Sequence, residues 1–542
     1  MSATTRTAPE THARHAATPA GSPWTGTRQL FGFALRRDRL RLTVWLAVLT
    51  ALVGYTPGAL ELAYPEEEQR WARVELLKTP AGTLMSGPVF GVNETALGTM
   101  LANELMLTLI VAASILAVLT VIRHTRAAEE DGSAELVLAS VVGRHARTTA
   151  ALTLAGAVNT TLAVTMTAAL AATGLDVMNS AAMCVGVAAV AMVFAAVAAV
   201  TAQLWRTARA ATGAALAVLA LAVLVRGLGD VIDHSGSTLS WFSPIAWAQQ
   251  MRAFVDVRWW PLVALIALAV GLVIVAGNLE QRRQYDDGTI ASTGDRPHAR
   301  PVGGVFGLHL VLQRGQMVGW SVGLFGAGLA FGSMTQSLLD AAVDNELIAR
   351  MLNAEGTDGV HTAMSQFLAA AASAYAVATV LRVYADERCG LGEAVLARPV
   401  SRWRWLSTAV AASVLGSTVL MACAGLGNGL GAGLTVGAAD TVLRLTGAGL
   451  AFVPALAVLA GVAAVAVALR QPWIGWLAVT FVVTSLYLAA LLRLPQWLVD
   501  LSPVGRITAP QQLSAGTLMV MAALAVALTA LAGFVYRHRD AA

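Results

Sequence analysis

Lysine is almost missing from this sequence: of 36 Lys plus Arg residues only Lys78 is a lysine, and charged residues of all kinds make up 13% of the chain. A soluble domain ordinarily carries about 25% charge, so a 542-residue chain this poor in charge lacks the polar surface that several water-soluble domains need. Intrinsic disorder of the bulk is excluded as well, because disorder needs low hydrophobicity and 57% of these residues are hydrophobic. The single lysine has a mechanistic consequence. A Walker A motif needs Lys in a Gly-rich loop to reach nucleotide phosphates, and Lys78 sits in Leu-Leu-Lys-Thr-Pro with no such glycines before it. This chain is therefore not itself a P-loop ATPase. Three widely separated cysteines, Cys184, Cys389 and Cys423, offer neither a disulfide framework nor metal-site spacing and read as small apolar fillers. The nine histidines form no HExxH pattern. A net charge of +4 is too small to imply nucleic-acid binding.

What fills the sequence is long apolar runs. Stretches near 20 residues with little charge mark membrane spans, and twelve occur, at approximately 42–58, 100–122, 148–172, 180–203, 210–228, 261–278, 317–335, 363–381, 406–427, 447–469, 474–494 and 516–536. The expected fold class is an all-α polytopic membrane protein. Residues 1–26, rich in Ala, Thr, Ser and Pro at the start, lack the apolar core of a signal peptide and read as a disordered tail. From Thr27 to Arg37, Leu30, Phe31, Ala34 and Leu35 share a helical face, which fits an interfacial helix leading into the first span or a simple basic flank. With the N-terminus placed inside, 26 of the 36 basic residues fall on the cytoplasmic side. The positive-inside rule then puts both termini in the cytoplasm.

The two halves of the chain match. Leu30-Phe31-Gly32 and Trp45 align with Val305-Phe306-Gly307 and Trp320 at a spacing of 275. The best match lies between spans 2 and 3 of each half. Glu129, Gly132, Glu135, Leu138, Ala139 and Arg144 recur as Glu387, Gly390, Glu393, Leu396, Ala397 and Arg402, at a spacing of 258 without a gap. Ser243-Pro244 and Ser502-Pro503 correspond at a spacing of 259, each in the external loop before the last span of its half. Six spans is even, so the halves enter from the same side, as parallel repeats do. This predicts a first six-span half over 27–278, a cytoplasmic linker over 279–304, and a second half over 305–542.

Each repeated loop suits a short cytoplasmic helix: its acids face the positive end of the helix dipole and Gly allows a sharp entry. A solvated loop would explain the arginines but not the recurrence of an apolar core beside the same Glu and Gly positions. Externally, Pro65 suits a first helical turn, and Trp71, Val74 and Leu77 follow at one helical spacing. Leu338–Leu352 is the counterpart in the second half. These helices either cap an outward vestibule or rest on lipid headgroups. Trp241, Ser243, Pro244 and Trp247 either form an interfacial aromatic belt or a segment that dips into the membrane under a shield of protein. The glycine-rich runs Gly323–Gly332 and Gly425–Gly433 permit close helix packing.

Twelve spans, paired acidic-Gly-Glu-Leu-Arg loops, a helix before the first span and Ser-Pro loops before the last resemble the fused permease subunit of ABC-2-type exporters. The specific likeness is to the actinobacterial group described as exporters of polyketide antibiotics, and it covers the chain from about residue 27. The resemblance implies a plasma-membrane transport subunit with no catalytic site, metal or cofactor of its own. Its partner would be a homodimer of a separate P-loop ATP-binding subunit carrying ATP and Mg. Glu129–Arg144 and Glu387–Arg402 would be the coupling helices. Substrates would be hydrophobic or amphipathic small molecules, with a lipid or cell-envelope component as an alternative cargo. Arg388-Cys389 in place of Glu130-Asp131 implies unequal contacts in the two halves. An ion-coupled secondary transporter is the rival reading, disfavoured because few ionisable groups fall inside the spans.

Overall fold

The computed structural model describes residues 22–78, 82–83, 86–88, 90–91, 95–133, 135, 142–233, 236–282, 303–336, 343, 357–436, 440–487, 495–508 and 515–538. No β-strand occurs among them. The chain divides into two compact units, one built from Met1–Leu62 with Ser86–Asp295 and the other from Ala63–Met85 with Arg296–Ala542.

The first unit contains α1 (Thr27–Ala63), α3 (Leu97–His124), the single turn α4 (Arg126–Glu130), α5 (Ala146–Ala172), α6 (Val177–Leu204), α7 (Ala208–Ile232), α8 (Pro244–Gln249) and α9 (Trp260–Arg282). Its centre is α6, on which α3, α5 and α9 pack. Alanine, the best helix former, dominates α6, and its consecutive buried residues Val193, Phe194, Ala195 and Ala196 point in four directions round the helix. A helix apolar all round belongs in the interior. Asp176 starts it, accepting from the Asn179 N–H at 2.8 Å. Thr207 likewise caps α7 through the Ala210 N–H. Peripheral α9 instead exposes Val263, Ile266, Val270 and Ile274, a lipid-facing stripe.

The second unit contains α2 (Glu67–Lys78), α10 (Gly304–Ser333), α11 (Thr357–Arg388), α12 (Leu391–Leu396), α13 (Arg402–Val436), α14 (Asp440–Leu450), α15 (Val453–Ala468), α16 (Trp473–Tyr487), α17 (Gln496–Val499) and α18 (Ala515–Arg537). Its tightest seam is α10 against α13. A Cβ on Gly332 would lie 2.1 Å from the Asn428 carbonyl oxygen, on Gly328 2.3 Å from that of Ala424, and on Gly427 2.2 Å from that of Phe325. The backbones touch, and only glycine fits. Lipid tails are as apolar as leucine, so helices in a membrane associate through such close van der Waals contact. The glycine runs thus do the packing that their composition suggests. Gly425 and Gly429 are similarly crowded by the α14 backbone.

Each of the twelve stretches expected to cross the membrane falls on helix in its described part, with 488–494 outside the described residues. Ten helices among the described residues are long and apolar enough to span. The other two stretches are α10, whose glycines dilute its hydropathy, and the shorter apolar helix Trp473–Leu486. The span expected at 447–469 is interrupted between α14 and α15, where Pro454 begins the second piece. Three expectations change. Among the described residues no separate interfacial helix precedes the first span: α1 runs unbroken for 37 residues, about 55 Å at 1.5 Å per residue, against a hydrocarbon thickness of about 30 Å. No proline interrupts it before Pro57. Of the tail expected over 1–26, residues 22–26 form a turn that hydrogen-bonds to the loop before α5, and residues 1–21 lie outside the described residues. Residues 279–282, expected in the linker, are helical because α9 continues to Arg282, and 283–302 lie outside the described residues. In the second-half external helix expected over Leu338–Leu352, only residue 343 lies among the described residues.

Candidate functional site

In their described parts the two repeated loops begin with the same elbow. After Glu129, the Asp131 N–H donates to the Ala127 carbonyl and the Gly132 N–H to the Glu129 carbonyl, with Gly132 at φ 74°. After Glu387, the Cys389 N–H donates to Ala385 and the Gly390 N–H to Glu387, with Gly390 also at φ 74°. A helix that ends on a left-handed glycine satisfies its last carbonyls in this way. Gly at both positions is the residue that reaches this region without strain.

The side chains around the elbows differ. Glu129 is buried, with Arg126 at 2.5 Å and Arg147 at 2.6 Å. Arg126 is 1% exposed, so this carboxylate offsets a guanidinium that would otherwise be costly to bury. Glu130 reaches α7, where its carboxylate accepts from the Ala208 N–H at 2.8 Å and meets the positive helix end. Glu135 is exposed. Arg144 donates to the Gln281 carbonyl at 3.2 Å. In the second unit Glu387 accepts from the buried Tyr536 hydroxyl. Gly390 and Leu391 are exposed, and Glu393 and Leu396 lie on the short helix α12 that follows. Arg402 opens α13. Leu138 lies outside the described residues.

The first elbow is braced by both ends of its unit. The Gly143 N–H donates to the Thr25 carbonyl at 2.9 Å and the His145 N–H to Pro23 at 3.0 Å. A Cβ on Gly143 would collide with the Pro23 carbonyl oxygen. The end of α9 joins at the same place. Its buried Glu280 takes His145 Nδ1 at 2.6 Å and the Thr148 hydroxyl at 2.7 Å. Buried Asp38 of α1 meets Arg123 at 3.0 Å and His124 at 3.1 Å.

At the other end of the first unit, the Ser243 hydroxyl caps α8 by accepting from the Ile245 N–H, and Pro244 occupies the first helical position. Trp241 stacks on Trp260 with ring centroids 5.4 Å apart and accepts the Trp247 indole N–H at its carbonyl. Ile245, Ala246 and Ala248 are buried, and α8 packs on α6. The turn before α8 is pinned from below: the Ser240 hydroxyl donates to Asp230 at 2.6 Å, and Asp230 lies 3.4 Å from Arg226, both fully buried in α7. In the second unit the Ser502 hydroxyl accepts from the Gly505 N–H, Pro503 occupies the turn between them, and Gln366 of α11 donates to the Ile507 carbonyl.

The chain matches the family described as "Multidrug efflux system permease Rv1217c, C-terminal domain" in two stretches, 28–279 and 302–537. It is 35% identical over 547 residues to the multidrug efflux system permease protein Rv1217c of Mycobacterium tuberculosis (strain ATCC 25618 / H37Rv), covering 97% of each chain. The chain belongs to this permease family. It is a multi-pass membrane permease, a transport subunit rather than an enzyme.

Three parts of the permease's polar framework do not follow from its loop motifs: the Asp38 cluster, Arg147 on Glu129, and the Arg226–Asp230 pair. Signals for two of them are present in the sequence. Asp38 is the one acid within the arginine-rich run 36–41, and Arg226 and Asp230 stand four apart, one helical turn, inside an apolar run. Arg147 carries no such mark, because its partner is 18 residues away across a loop.

Proposed function

We propose that this permease is the membrane-spanning subunit of an ATP-driven ABC-2-type exporter that moves hydrophobic or amphipathic drug-like compounds out of the cytoplasm. A separate P-loop protein, acting as a homodimer with ATP and Mg, would hydrolyse the nucleotide. The observation that carries the reading is the duplicated elbow: the same backbone hydrogen bonds and the same left-handed glycine recur 258 residues apart. A parallel internal repeat accounts for that recurrence. A pair of like docking points is also what two copies of one ATPase need, since a symmetric partner requires repeated surfaces. The elbow residues then divide their work. Glu129 and Glu387, bonded within their own units, hold each elbow. Glu135, Glu393, Leu138, Leu396, Arg144 and Arg402 lie on the stretch that would meet the ATPase. Both termini would be cytoplasmic, as the arginine distribution supports.

Ion coupling is a second reading, favoured by one observation, the buried Arg226–Asp230 pair within a span, because ionisable groups at such depth mark ion pathways by default. Reconstitution separates the two. Vesicles containing the permease and a candidate ATPase should accumulate substrate with ATP and ignore an imposed proton gradient. Transport that follows the gradient without ATP refutes the first reading. The double variant Glu135→Arg/Glu393→Arg should weaken ATPase pull-down while still inserting in the membrane. Unchanged pull-down and transport would remove these loops from coupling.

A further inference from the structure

A cleft of about 230 Å³ lies beside the first elbow, between the start of α1, the end of α3 with the turn after it, and the first turns of α5. Phe33, Ala34 and Ala151 give it apolar walls, while Arg37, Arg147 and Ser133 bring polar groups to it. The nearby carboxylates are already engaged. Asp38 is held by Arg41, Arg123 and His124, and Glu129 by Arg126 and Arg147. Among the described residues Arg37 makes no ion pair, and it is exposed.

The position of Arg37 on its helix indicates what belongs there. Phe33, Arg37, Leu40, Val44 and Val48 follow one another at steps of three or four, so they share one face of α1. All five are exposed. Val44 and Val48 fall in the first span expected over 42–58 and stay exposed on a helix long and apolar enough to cross a membrane, so from there this face meets lipid. Arg37 stands where that stripe leaves the hydrocarbon, the level at which arginine meets lipid phosphates. The cleft beside it thus opens at headgroup level, next to acyl chains, with a cation at its edge and apolar walls behind.

We propose that this cleft binds one anionic phospholipid. Its phosphate sits against Arg37 and the Ser133 hydroxyl, its glycerol region against Phe33 and Ala34, and its acyl chains run along Leu40, Val44 and Val48. A soluble phosphate would leave the apolar walls without a partner; a phospholipid uses both. Because Arg147 lines the cleft and also holds Glu129, the lipid touches the frame of the elbow. The inference rests on α1 crossing a membrane and not on ATP-driven transport, so either reading survives failure of the other.

The test is native mass spectrometry of the full chain released from bilayer discs of equal parts phosphatidylglycerol and phosphatidylcholine. The parent chain should retain phosphatidylglycerol in preference to phosphatidylcholine. Arg37→Gln should lower retained phosphatidylglycerol about fivefold, the effect of losing one basic residue near a membrane surface. Arg37→Lys should restore it. Arg36→Gln should leave it unchanged, since Arg36 bonds to the Gly32 carbonyl and does not line the cleft. Equal retention by parent and Arg37→Gln overturns the proposal, as does equal retention of the two lipids. Displacement of phosphatidylglycerol by inorganic phosphate alone would identify a soluble-anion site and overturn it too.

Discussion

Removing the Glu129 carboxylate tests whether this residue is a brace or a contact surface. In Glu129→Leu, Arg126 loses a partner at 2.5 Å and Arg147 one at 2.6 Å, and Arg126 is 1% exposed. Breaking a buried pair by deleting one partner costs about 3–5 kcal/mol, because the remaining charge is left uncompensated. At roughly 2–4 °C per kcal/mol for a unit of this size, thermal unfolding in detergent should come at least about 6 °C earlier. The double variant Arg126→Met/Glu129→Leu removes the more deeply buried charge together with its partner, leaving only the partly exposed Arg147 without this carboxylate. Exchange of a buried ion pair for well-packed apolar groups is often neutral, so the double variant should recover most of the loss. Glu135→Leu, at an exposed position, should change stability by less than about 0.5 kcal/mol. A Glu129→Leu variant as stable as the parent would refute the brace. So would a double variant no better than the single one.

Two further outcomes concern packing and pH. Gly332→Ala or Gly427→Ala should cost about 1–3 kcal/mol through overpacking, since the new Cβ would fall 2.1–2.2 Å from a backbone oxygen. Gly323→Ala, with no atom within 4 Å, should be neutral or stabilise by about 0.5–1 kcal/mol, and thermal unfolding of the three variants side by side checks the contrast. The hydrogen bonds from the Asn179 backbone and side chain hold the Asp176 carboxyl below its ordinary value of 3.8, so its capping contribution is complete above that pH and is lost as pH falls through the lower folded value. The difference in unfolding temperature between parent and Asp176→Ala should therefore be present at pH 7 and shrink steadily below about pH 4.

The spans were legible because lipid imposes a length and a composition that no other environment asks of a helix. The elbows were legible because a left-handed glycine and its flanking acids leave the same mark twice. The direction of the acids was not. Whether Glu129 faces a partner or the interior depends on Arg126 and Arg147, one on its own short turn and one beyond the loop, and only the fold brings them together. The glycines show the same limit. The sequence holds 49 of them, and spacing alone does not distinguish Gly332, pressed on the Asn428 carbonyl, from Gly323, which faces open space. Arg226 and Asp230 had the right separation to pair, yet their tie to Ser240 joins a span to an irregular turn, a contact without periodicity.

The bracing of the first elbow by Pro23 and Thr25 on one side and Glu280 on the other has a practical consequence for anyone handling this permease. Ser22–Gly26 behaves as part of the folded body, so a truncation that removes it would unseat the loop while leaving every span intact. A fusion partner joined directly before Ser22 would press on that loop. Loss of transport in a shortened or tagged protein would then reflect a displaced elbow, and would say nothing about the substrate path.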